Sequence, residues 1–238
     1  MYPDVKWSVD DLDFRIRELE HDDIPGVRVL VNNSLHENVF TAFEALFVKN
    51  WRILIVLSGL TVLLLNYFGY DAQYIVVFLF FQIFLPTIAN AVSFYRFFAP
   101  GMTTIKKEIV NADKTYVKFW ISEVFKDGQW EKVGTAALHE ADQLENREIQ
   151  TGEIIALKNV SVSCSWRSKR IGAMMVKHAL SQATLMKYKT IVVHFSQGQP
   201  ATLPLYKRNG FEMVNVIKTG CIPLPYGVDV YVMAKKLS

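Results

Sequence analysis

Two long stretches in the first half of the chain consist almost entirely of apolar residues. No charged residue occurs in residues 53–70, and after Asp71 none occurs in residues 72–95. At about 1.5 Å of rise per residue, roughly 18 helical residues span about 27 Å, close to the hydrocarbon core of a bilayer. The segment ILIVLSGLTVLLL has no polar face to turn towards water. The pattern therefore predicts two membrane helices joined by a short loop.

The residues that flank these stretches predict their orientation. Basic residues border both stretches on their outer sides, at Lys49, Arg52, Arg96, Lys106 and Lys107. The connecting loop NYFGYDAQY holds one acid and no base, so the positive-inside rule places both outer ends, and the rest of the chain, in the cytosol. Pro86 is expected to kink the second helix. The hairpin either spans the bilayer or is deeply re-entrant, and the alternative to a membrane hairpin is a pair of buried core helices in a soluble protein.

Outside the apolar stretches, the spacing of apolar residues alternates between strand and helix periods. Strands are predicted at 12–17, 115–125, 130–138, 153–163, 189–195, 211–218 and 228–235. Helices are predicted from Asp22 or Asp23 onwards and at 104–111, 171–187 and 201–209. Asp127-Gly128 predicts a hairpin turn. This order predicts an α+β sheet with helices on its faces.

Composition narrows the class of protein. The chain has 238 residues, of which 51% are hydrophobic, enough for a sizeable core in one or two domains. A net charge of +3 is too small to indicate a nucleic-acid partner. Cys164 and Cys221 are far apart, which fits a reducing compartment and gives no metal signal. The first residues lack an apolar run, so no cleavable signal peptide is expected.

A short basic loop precedes the helix predicted at 171–187. The stretch CSWRSKRIGAMMVKHAL places Arg167, Lys169 and Arg170 at the helix start, where positive charge opposes the helix dipole. Unpaired backbone N–H groups at such an end bind phosphate, so the cations indicate a phosphate-bearing cofactor. A solvated basic surface loop is an equal alternative on this stretch alone. The patterns GxxxxGK[ST] and GxGxxG are absent, which excludes a Walker loop and a dinucleotide fingerprint.

The loop resembles motif A of the GNAT acetyltransferases, [RQ]-x-x-G-x-[GA], which lies between a strand and a helix. Here it runs from Arg167 to Gly172 as RSKRIG, with Arg170 in place of the first glycine. FRIRELEHDDIPGV, VGTAALH and LPLYKRNGF are similar to the family's opening strand and helix, third strand and Tyr-x-x-x-Gly-Phe signature. Because an apolar hairpin follows the first helix, the chain is identified as a member of the camello-like N-acetyltransferases. That group includes membrane-bound aspartate and cysteine-S-conjugate N-acetyltransferases of the endoplasmic reticulum.

The resemblance implies a GNAT-type α+β fold, a mixed and mostly antiparallel sheet flanked by helices, with an inserted two-helix membrane hairpin. Residues 1–48 are then the first part of the domain, 49–98 the hairpin and 99–238 the remainder. It implies acetyl-CoA as donor without a metal, and a primary amine as acceptor on an amino acid, a cysteine conjugate or a protein lysine. It also implies a location in the endoplasmic reticulum membrane, with the catalytic domain in the cytosol.

The resemblance also implies the site residues, position by position. Tyr206 matches the tyrosine that faces the sulfur and assists the departing thiolate. A second interpretation is a core aromatic beside Phe211. The backbone of Val160, Ser161 and Val162 matches the strand edge that pairs with pantetheine and donates to the thioester oxygen. Cofactor contacts are further expected from Arg167, Ser168, Lys169, Arg170, Ile171, Gly172, Ala173 and Gln199.

The group that takes the proton of the amine is left open by the sequence. Glu153 is the favoured residue, His139 and His194 are weaker candidates, and a water chain without a dedicated base is an equal alternative. Asn159 is expected to face the acceptor cleft, although it cannot take a proton. The alternative function is a catalytically inactive GNAT-fold membrane scaffold or CoA-binding protein, and its main support is Arg170 at the motif's glycine position.

Overall fold

The computed structural model describes residues 5–141, 153–196, 199, 201–219 and 228–237. Within these residues eight strands form one sheet in the order β1-β2-β3-β4-β5-β6-β8-β7, and only the β5–β6 pair is parallel. The strands are β1 (Val5–Val9), β2 (Leu12–Glu18), β3 (Lys118–Lys126), β4 (Gln129–Glu140), β5 (Ile154–Val162), β6 (Thr190–Ser196), β7 (Glu212–Thr219) and β8 (Val228–Lys236). The helices are α1 (Ile24–Tyr67), α2 (Ala72–Val110), α3 (Ala112–Thr115), α4 (Ile171–Leu185) and α5 (Thr202–Arg208).

Two tight turns set the register of the first four strands. Asp10 and Asp11 join β1 to β2 with φ of 53° and 60°, and Asp127 and Gly128 join β3 to β4 with φ of 51° and 80°. Aspartate and glycine tolerate the left-handed conformation that two-residue hairpin turns require. The second turn was predicted from the sequence. β1 was not, because the alternation in VKWSV covers only five residues.

Helices cover both faces of the sheet. On one face α4 buries Met175, Val176 and Ala179 against a core that includes Trp120 of β3 and Ile191 of β6. On the other face the first turns of α1 and the last turns of α2 pack on β3 and β4, with a core that includes Val27, Val31, Ile109, Phe119 and Ile121. Alternate residues of β3 therefore serve opposite faces, as the period of a strand requires.

The two long helices extend the fold beyond the sheet. α1 has 44 residues and α2 has 39, which at about 1.5 Å per residue give lengths of about 66 and 58 Å. α2 continues as a helix through Pro86 and Pro100. The predicted domain boundaries at 48/49 and 98/99 fall inside these helices. The two helices of the hairpin are therefore continuous with the two helices that pack on the sheet.

The far halves of the hairpin expose apolar side chains. Val56, Leu63, Val76 and Phe78 are between 59% and 70% exposed. Among the described residues, one helical segment, Ala72–Ala89, is long and apolar enough to cross a membrane, and no part of it is buried. α1 contributes the shorter apolar segment Leu54–Tyr67. The structure thus shows a two-helix hairpin with one segment of spanning length, where the sequence predicted two.

A buried ionic cluster anchors the start of α1 to the sheet. Arg17 of β2 donates two hydrogen bonds to Asp23, at 2.6 and 2.9 Å, and also contacts Glu123 of β3 at 2.9 Å. Lys132 of β4 lies 3.0 Å from Asp23. Burial alone would raise the pKa of Asp23, but Arg17, the Glu20 N–H and Lys132 outweigh it and hold that pKa well below its usual range.

Candidate active site

A cleft opens where β5 and β6 separate. Their parallel pairing runs from Ile154 opposite Thr190 to Leu157 opposite Val193, and no further pair joins the described residues of these two strands. The cavity beyond the last pair has a volume of about 610 Å³. Its walls are the second half of β5, the end of β6, the start of α5, and the stem of the hairpin formed by α1 and α2.

A β-bulge shapes the strand that lines this cleft. The register between β4 and β5 shifts after Thr135, so that Asn159 and Val160 together oppose one residue, Ala136. Asn159 has a positive φ of 52°, and its carbonyl accepts a hydrogen bond from Thr135 Oγ1 at 2.8 Å. The extra residue bends β5 just where it leaves β6, and this bend leaves a strand edge open to a ligand.

The residues expected to contact the pantetheine arm line the cleft. Val160, Ser161 and Val162 form its β5 wall, and Gln199 lies across from them at the start of the segment that leads into α5. The edge of β5 that faces β6 has backbone groups available for strand-like pairing, because the β5–β6 ladder ends at Leu157. This arrangement fits an extended amide-containing chain such as pantetheine.

The position of Tyr206 suits both interpretations drawn from the sequence. It is 5% exposed, and its ring packs against Phe195 and Phe211 with centroid distances of 5.6 and 5.1 Å. It also lines the cleft, and the described part of the chain gives its hydroxyl no hydrogen-bond partner. Burial raises the pKa of Tyr206 above its ordinary value, so the phenol stays protonated at neutral pH and is able to donate.

The motif A loop adopts the conformation that glycine favours. Ser168 and Arg170 both have left-handed backbones, with φ of 66° and 61°. Arg170 is the N-cap of α4, so the residue that replaces the motif's glycine keeps a glycine-like conformation. A non-glycine residue pays roughly 1–2 kcal/mol of steric strain for it.

The first turn of α4 offers backbone donors. Met174 is the first residue whose N–H bonds within the helix, to the carbonyl of Arg170 at 3.0 Å. The N–H groups of Ile171, Gly172 and Ala173 precede it, and the side chain of the N-cap residue Arg170 makes no capping hydrogen bond. A Cβ at Gly172 would meet only Leu205 and Val162, both at 3.7 Å, so the chain itself does not require a glycine there. Donors and open space at one helix start fit a pyrophosphate.

Two of the three loop cations are bound to carboxylates. Arg167 lies at the rim of the cleft, where its Nη2 contacts Glu37 of α1 at 2.5 Å and its Nε donates to the Val162 carbonyl at 3.2 Å. Lys169 contacts Asp10 of the β1–β2 turn at 2.7 Å. Arg170 is the loop cation whose side chain is exposed to solvent without an ion pair among the described residues.

The favoured base candidate lies in the wrong place. Glu153 precedes β5 at the end remote from the cleft, where it is ion-paired with Lys189, and it does not line the cavity. Glu153 is therefore not placed to take the proton of an amine that is bound in this cleft. His139 is also outside the cavity, on β4, where its Nδ1 lies 2.5 Å from the Glu140 carbonyl. His194 does line the cleft, and desolvation together with the Lys158 ammonium lowers the pKa of its imidazole.

One acidic residue of the cleft was missed by the sequence analysis. Glu108, near the end of α2, lines the cavity with a side chain that is 20% exposed. The signal was present in the sequence, since Glu108 lies three residues after Ile105, on the face of α2 where Ile105 packs against the core. A carboxylate among core-facing positions is unusual and indicates a partner or a function.

Comparisons with known proteins identify a family for this chain and similar folds among solved structures. The sequence model of the acetyltransferase (GNAT) family matches residues 87–211, more than half of the chain. An N-acetyltransferase from Staphylococcus aureus Mu50 superimposes with a TM-score of 0.54 at 12% identity, covering 94% of this chain and 99% of that one. The ribosomal-protein-alanine N-acetyltransferase of Brucella melitensis gives 0.50 at 15% identity, covering 93% and 99%. At such identities the likeness shows the fold alone. The search of curated proteins gave no match.

The chain therefore belongs to the GNAT acetyltransferase family, and its α+β sheet flanked by helices is the fold of that family. The prediction of an acetyl-CoA-dependent N-acyltransferase is confirmed at this level, with acetyl-CoA as the co-substrate. The split between β5 and β6, the bulge at Asn159 and the open start of α4 are the parts of this chain that suit that co-substrate.

Proposed function

We propose that the chain is a membrane-anchored N-acetyltransferase that moves an acetyl group from acetyl-CoA to a primary amine by direct attack. The observation that carries the proposal is the convergence of three features in one cleft. These are the open edge of β5, the Tyr206 hydroxyl and the side chains of the hairpin stem. Donor and acceptor can thus meet in one cavity, without a covalent enzyme intermediate.

The cofactor side of the cleft acts mainly through the main chain. Acetyl-CoA supplies an acetyl thioester, whose carbonyl carbon takes the amine and whose thiolate leaves. The backbone of Val160–Val162 pairs with the pantetheine arm and directs an N–H towards the developing oxyanion. The first turn of α4 binds the pyrophosphate. Tyr206, kept protonated by its burial, donates its proton to the leaving sulfur.

The membrane anchor is supported by the surface of the hairpin. Its far half presents contiguous apolar side chains, and such a surface is unfavourable in water over the length of a helix pair. Asp71 lies at the tip and the basic flanks lie at the sheet end, which suits an orientation with the catalytic domain in the cytosol. We extend the proposal to the endoplasmic reticulum, the membrane of the group that the sequence resembles.

The inactive alternative rests on Arg170. Its left-handed φ of 61° shows that the loop tolerates arginine in the backbone conformation that glycine would adopt, and its side chain is exposed. The cofactor donors of α4 are backbone groups, so the replacement leaves them in place. Together with Tyr206 in the cleft, this favours an active enzyme over a scaffold.

The test uses the full chain purified in detergent. Isothermal titration with acetyl-CoA measures binding, and thiol release with aspartate, S-benzylcysteine and Nα-blocked lysine measures transfer. Binding together with amine-dependent thiol release supports the enzyme. Binding without release for any amine supports the scaffold, and absence of binding contradicts both.

A second experiment tests the anchor. Alkaline carbonate extraction should leave the protein in the membrane pellet. In sealed microsomes an impermeant maleimide should label the exposed Cys164 of the wild-type chain. In a Cys164→Ser/Cys221→Ser background, which retains neither native cysteine, Asp71→Cys should be labelled only after detergent is added. Release by carbonate, or labelling of Asp71→Cys in sealed microsomes, would overturn the spanning orientation.

A further inference from the structure

A carboxylate lies on the acceptor side of the cleft. Glu108 of α2 faces the cavity that Val160 and Tyr206 line from the side of the sheet and α5. Its side chain is 20% exposed, so it is shielded from bulk water and still reachable through the cleft. A carboxylate in this position requires a partner of positive charge or a proton donor.

Hydrogen bonds connect Glu108 to the bulge of β5. Tyr116 donates its O–H to Glu108 Oε2 at 2.8 Å, and the same phenol oxygen accepts a hydrogen bond from Asn159 Nδ2 at 2.6 Å. Asn159 is the left-handed residue of the bulge and precedes Val160. Burial first, and then the Glu108 carboxylate, raise the pKa of Tyr116, so this phenol remains a donor. The chain of contacts holds one oxygen of Glu108 in a set position beside the strand that binds the thioester.

The second oxygen of Glu108 is less firmly bound. Oε1 lies 3.8 Å from Lys158 Nζ, beyond hydrogen-bond distance, and that lysine side chain is 38% exposed. The other titratable groups of the cavity are His194 of β6, Arg167 of the motif A loop and Tyr206 of α5, while α1 contributes the uncharged Ser34 and Thr41. Glu108 is therefore the one carboxylate among the cavity's described lining residues, and one of its oxygens is available to a ligand.

We infer that Glu108 is the amine subsite of the enzyme, binding the acceptor ammonium through Oε1 and accepting its proton. The inference rests on the proposed function, and it names the residue that takes the proton of the acceptor amine. Tyr116 is a positioning residue, since it holds the carboxylate and does not line the cavity, and Asn159 orients the Tyr116 phenol from the cavity wall. When donor and acceptor fill the cleft and exclude water, the neutral acid and amine are favoured over the ion pair.

Glu108 and Tyr206 account for every proton that moves in the reaction. One of the three ammonium protons passes to Glu108, which frees the nitrogen lone pair to form the C–N bond to the acetyl carbon. The C–S bond breaks, Tyr206 gives its proton to the sulfur, and a second nitrogen proton returns to Tyr206. The third proton stays on the amide nitrogen. Glu108 then releases its proton to solvent through the open cleft, so the products are an N-acetyl amide, the free thiol of CoA and one proton.

The experiment compares three variants of the full-length protein in detergent, with the amine of the three-member panel that the wild type acetylates fastest. Glu108→Gln keeps the shape of the side chain and removes the base. Tyr116→Phe removes the hydrogen bond that positions it. Glu131→Gln, on the exposed face of the β3–β4 hairpin, is the matched control, because it makes the same chemical change away from the cleft.

Glu108→Gln should lower kcat/KM for the amine at pH 7 about 10²-fold or more, the usual range for a lost proton-transfer group, while the Kd of acetyl-CoA changes less than twofold. The deficit should narrow as the pH rises towards the pKa of the acceptor amine, about 10.4 for a lysine, because more of the amine is then neutral in solution. Tyr116→Phe should give a smaller loss with the pH profile of the wild type retained. Glu131→Gln should match the wild type.

Three results would overturn the inference. One is a kcat/KM of Glu108→Gln within twofold of the wild type. A second is a loss that does not change with pH, which indicates a structural defect. A third is disappearance of the acidic limb of the profile in His194→Gln and its retention in Glu108→Gln, which assigns the base to His194. If the wild type itself acetylates none of the amines, the proposed function fails and the inference fails with it.

Discussion

The two walls of the cleft are built in different ways. The cofactor wall, made of β5, the motif A loop and the start of α4, is expected to act through backbone groups whose positions follow from a bulge and two left-handed residues. The acceptor wall, made of the stems of α1 and α2, presents side chains such as Glu108. Donor recognition can therefore follow a local motif, whereas acceptor recognition depends on residues that meet only in the folded chain.

The largest effect is expected where the acceptor wall is anchored. Asp23→Asn removes the buried carboxylate that Arg17 and Lys132 share, and leaves these partly buried cations with fewer partners. We expect the free energy of unfolding at pH 7 to fall by about 3 kcal/mol. Chemical denaturation in detergent measures this. The control is Glu18→Gln, whose exposed pair with Lys118 should contribute less than about 1 kcal/mol.

The same variant, Asp23→Asn, also tests how the stability of the ionic cluster around Asp23 depends on pH. The pKa of Asp23 is lower in the folded protein than its unfolded value of about 3.9. Its contribution is therefore present above about pH 4 and is lost as the pH falls through the lowered folded value. The stability difference between wild type and Asp23→Asn should shrink below about pH 4. A difference that stays constant down to pH 2 would contradict this account of the cluster.

On the cofactor wall, the largest expected effect is at Tyr206. Tyr206→Phe keeps the packing against Phe195 and Phe211 and removes only the hydroxyl. We expect turnover to fall about 10²-fold, the low end of the usual range, because a CoA thiolate leaves fairly well without assistance. Tyr231→Phe is the control, since Tyr231 also packs on Phe195, at 5.4 Å, and should keep the wild-type rate. Unchanged turnover in Tyr206→Phe, at saturating acetyl-CoA, would remove this residue from the mechanism.

Gly172 tests the donors at the start of α4. Gly172→Glu adds bulk and negative charge where a pyrophosphate is proposed to bind, so acetyl-CoA affinity should fall tenfold or more, which is about 1.4 kcal/mol. Gly172→Ala is the matched variant, because its Cβ meets neighbours only at 3.7 Å and the fold should be unaffected. Titration calorimetry measures both. If Gly172→Glu binds acetyl-CoA as tightly as the wild type does, the phosphate site lies elsewhere.

The cofactor wall was largely predictable from the sequence. A strongly apolar strand precedes the motif A loop and an amphipathic helix follows it. The Tyr-x-x-x-Gly-Phe spacing marks Tyr206, so local patterns sufficed to predict where the loop and this tyrosine lie along the chain. Periodicity places Glu153 at the start of a strand without showing where the neighbouring strand separates from it. The sequence therefore could not show that Glu153 lies away from the cleft. The β5–β6 ladder ends after Leu157, so only the second half of β5 borders the cleft.

The acceptor wall could not be predicted in the same way. Glu108 reaches the cleft because the hairpin brings the end of α2 beside the start of α1, and because Tyr116 and Asn159 come together from different elements. No local spacing encodes that contact. The hairpin itself was predicted from its apolar residues, although the continuity of α1 and α2 with the domain was not, since helix periodicity alone does not separate an insertion from an extension.

The smallest expected effect concerns Arg170. Arg170→Gly relieves the strain of a left-handed arginine with φ of 61°, roughly 1–2 kcal/mol, but glycine also loses more backbone entropy on folding, roughly 0.5–1 kcal/mol. The net gain in the free energy of unfolding should be about 0.5 kcal/mol, with acetyl-CoA affinity equal or better. Ser181→Gly is the control, because it places glycine at an exposed, helical position of α4, where only the entropy loss applies and stability should fall by about 0.5 kcal/mol. Thermal melting of both variants in one detergent separates the relief of backbone strain from the loss of backbone entropy.

If Arg170→Gly destabilises the protein as much as Ser181→Gly does, the left-handed conformation of Arg170 carries no strain, and arginine has no cost in stability at this position. If it instead abolishes acetyl-CoA binding, the arginine side chain itself holds the cofactor, and the cofactor wall depends on a side chain after all.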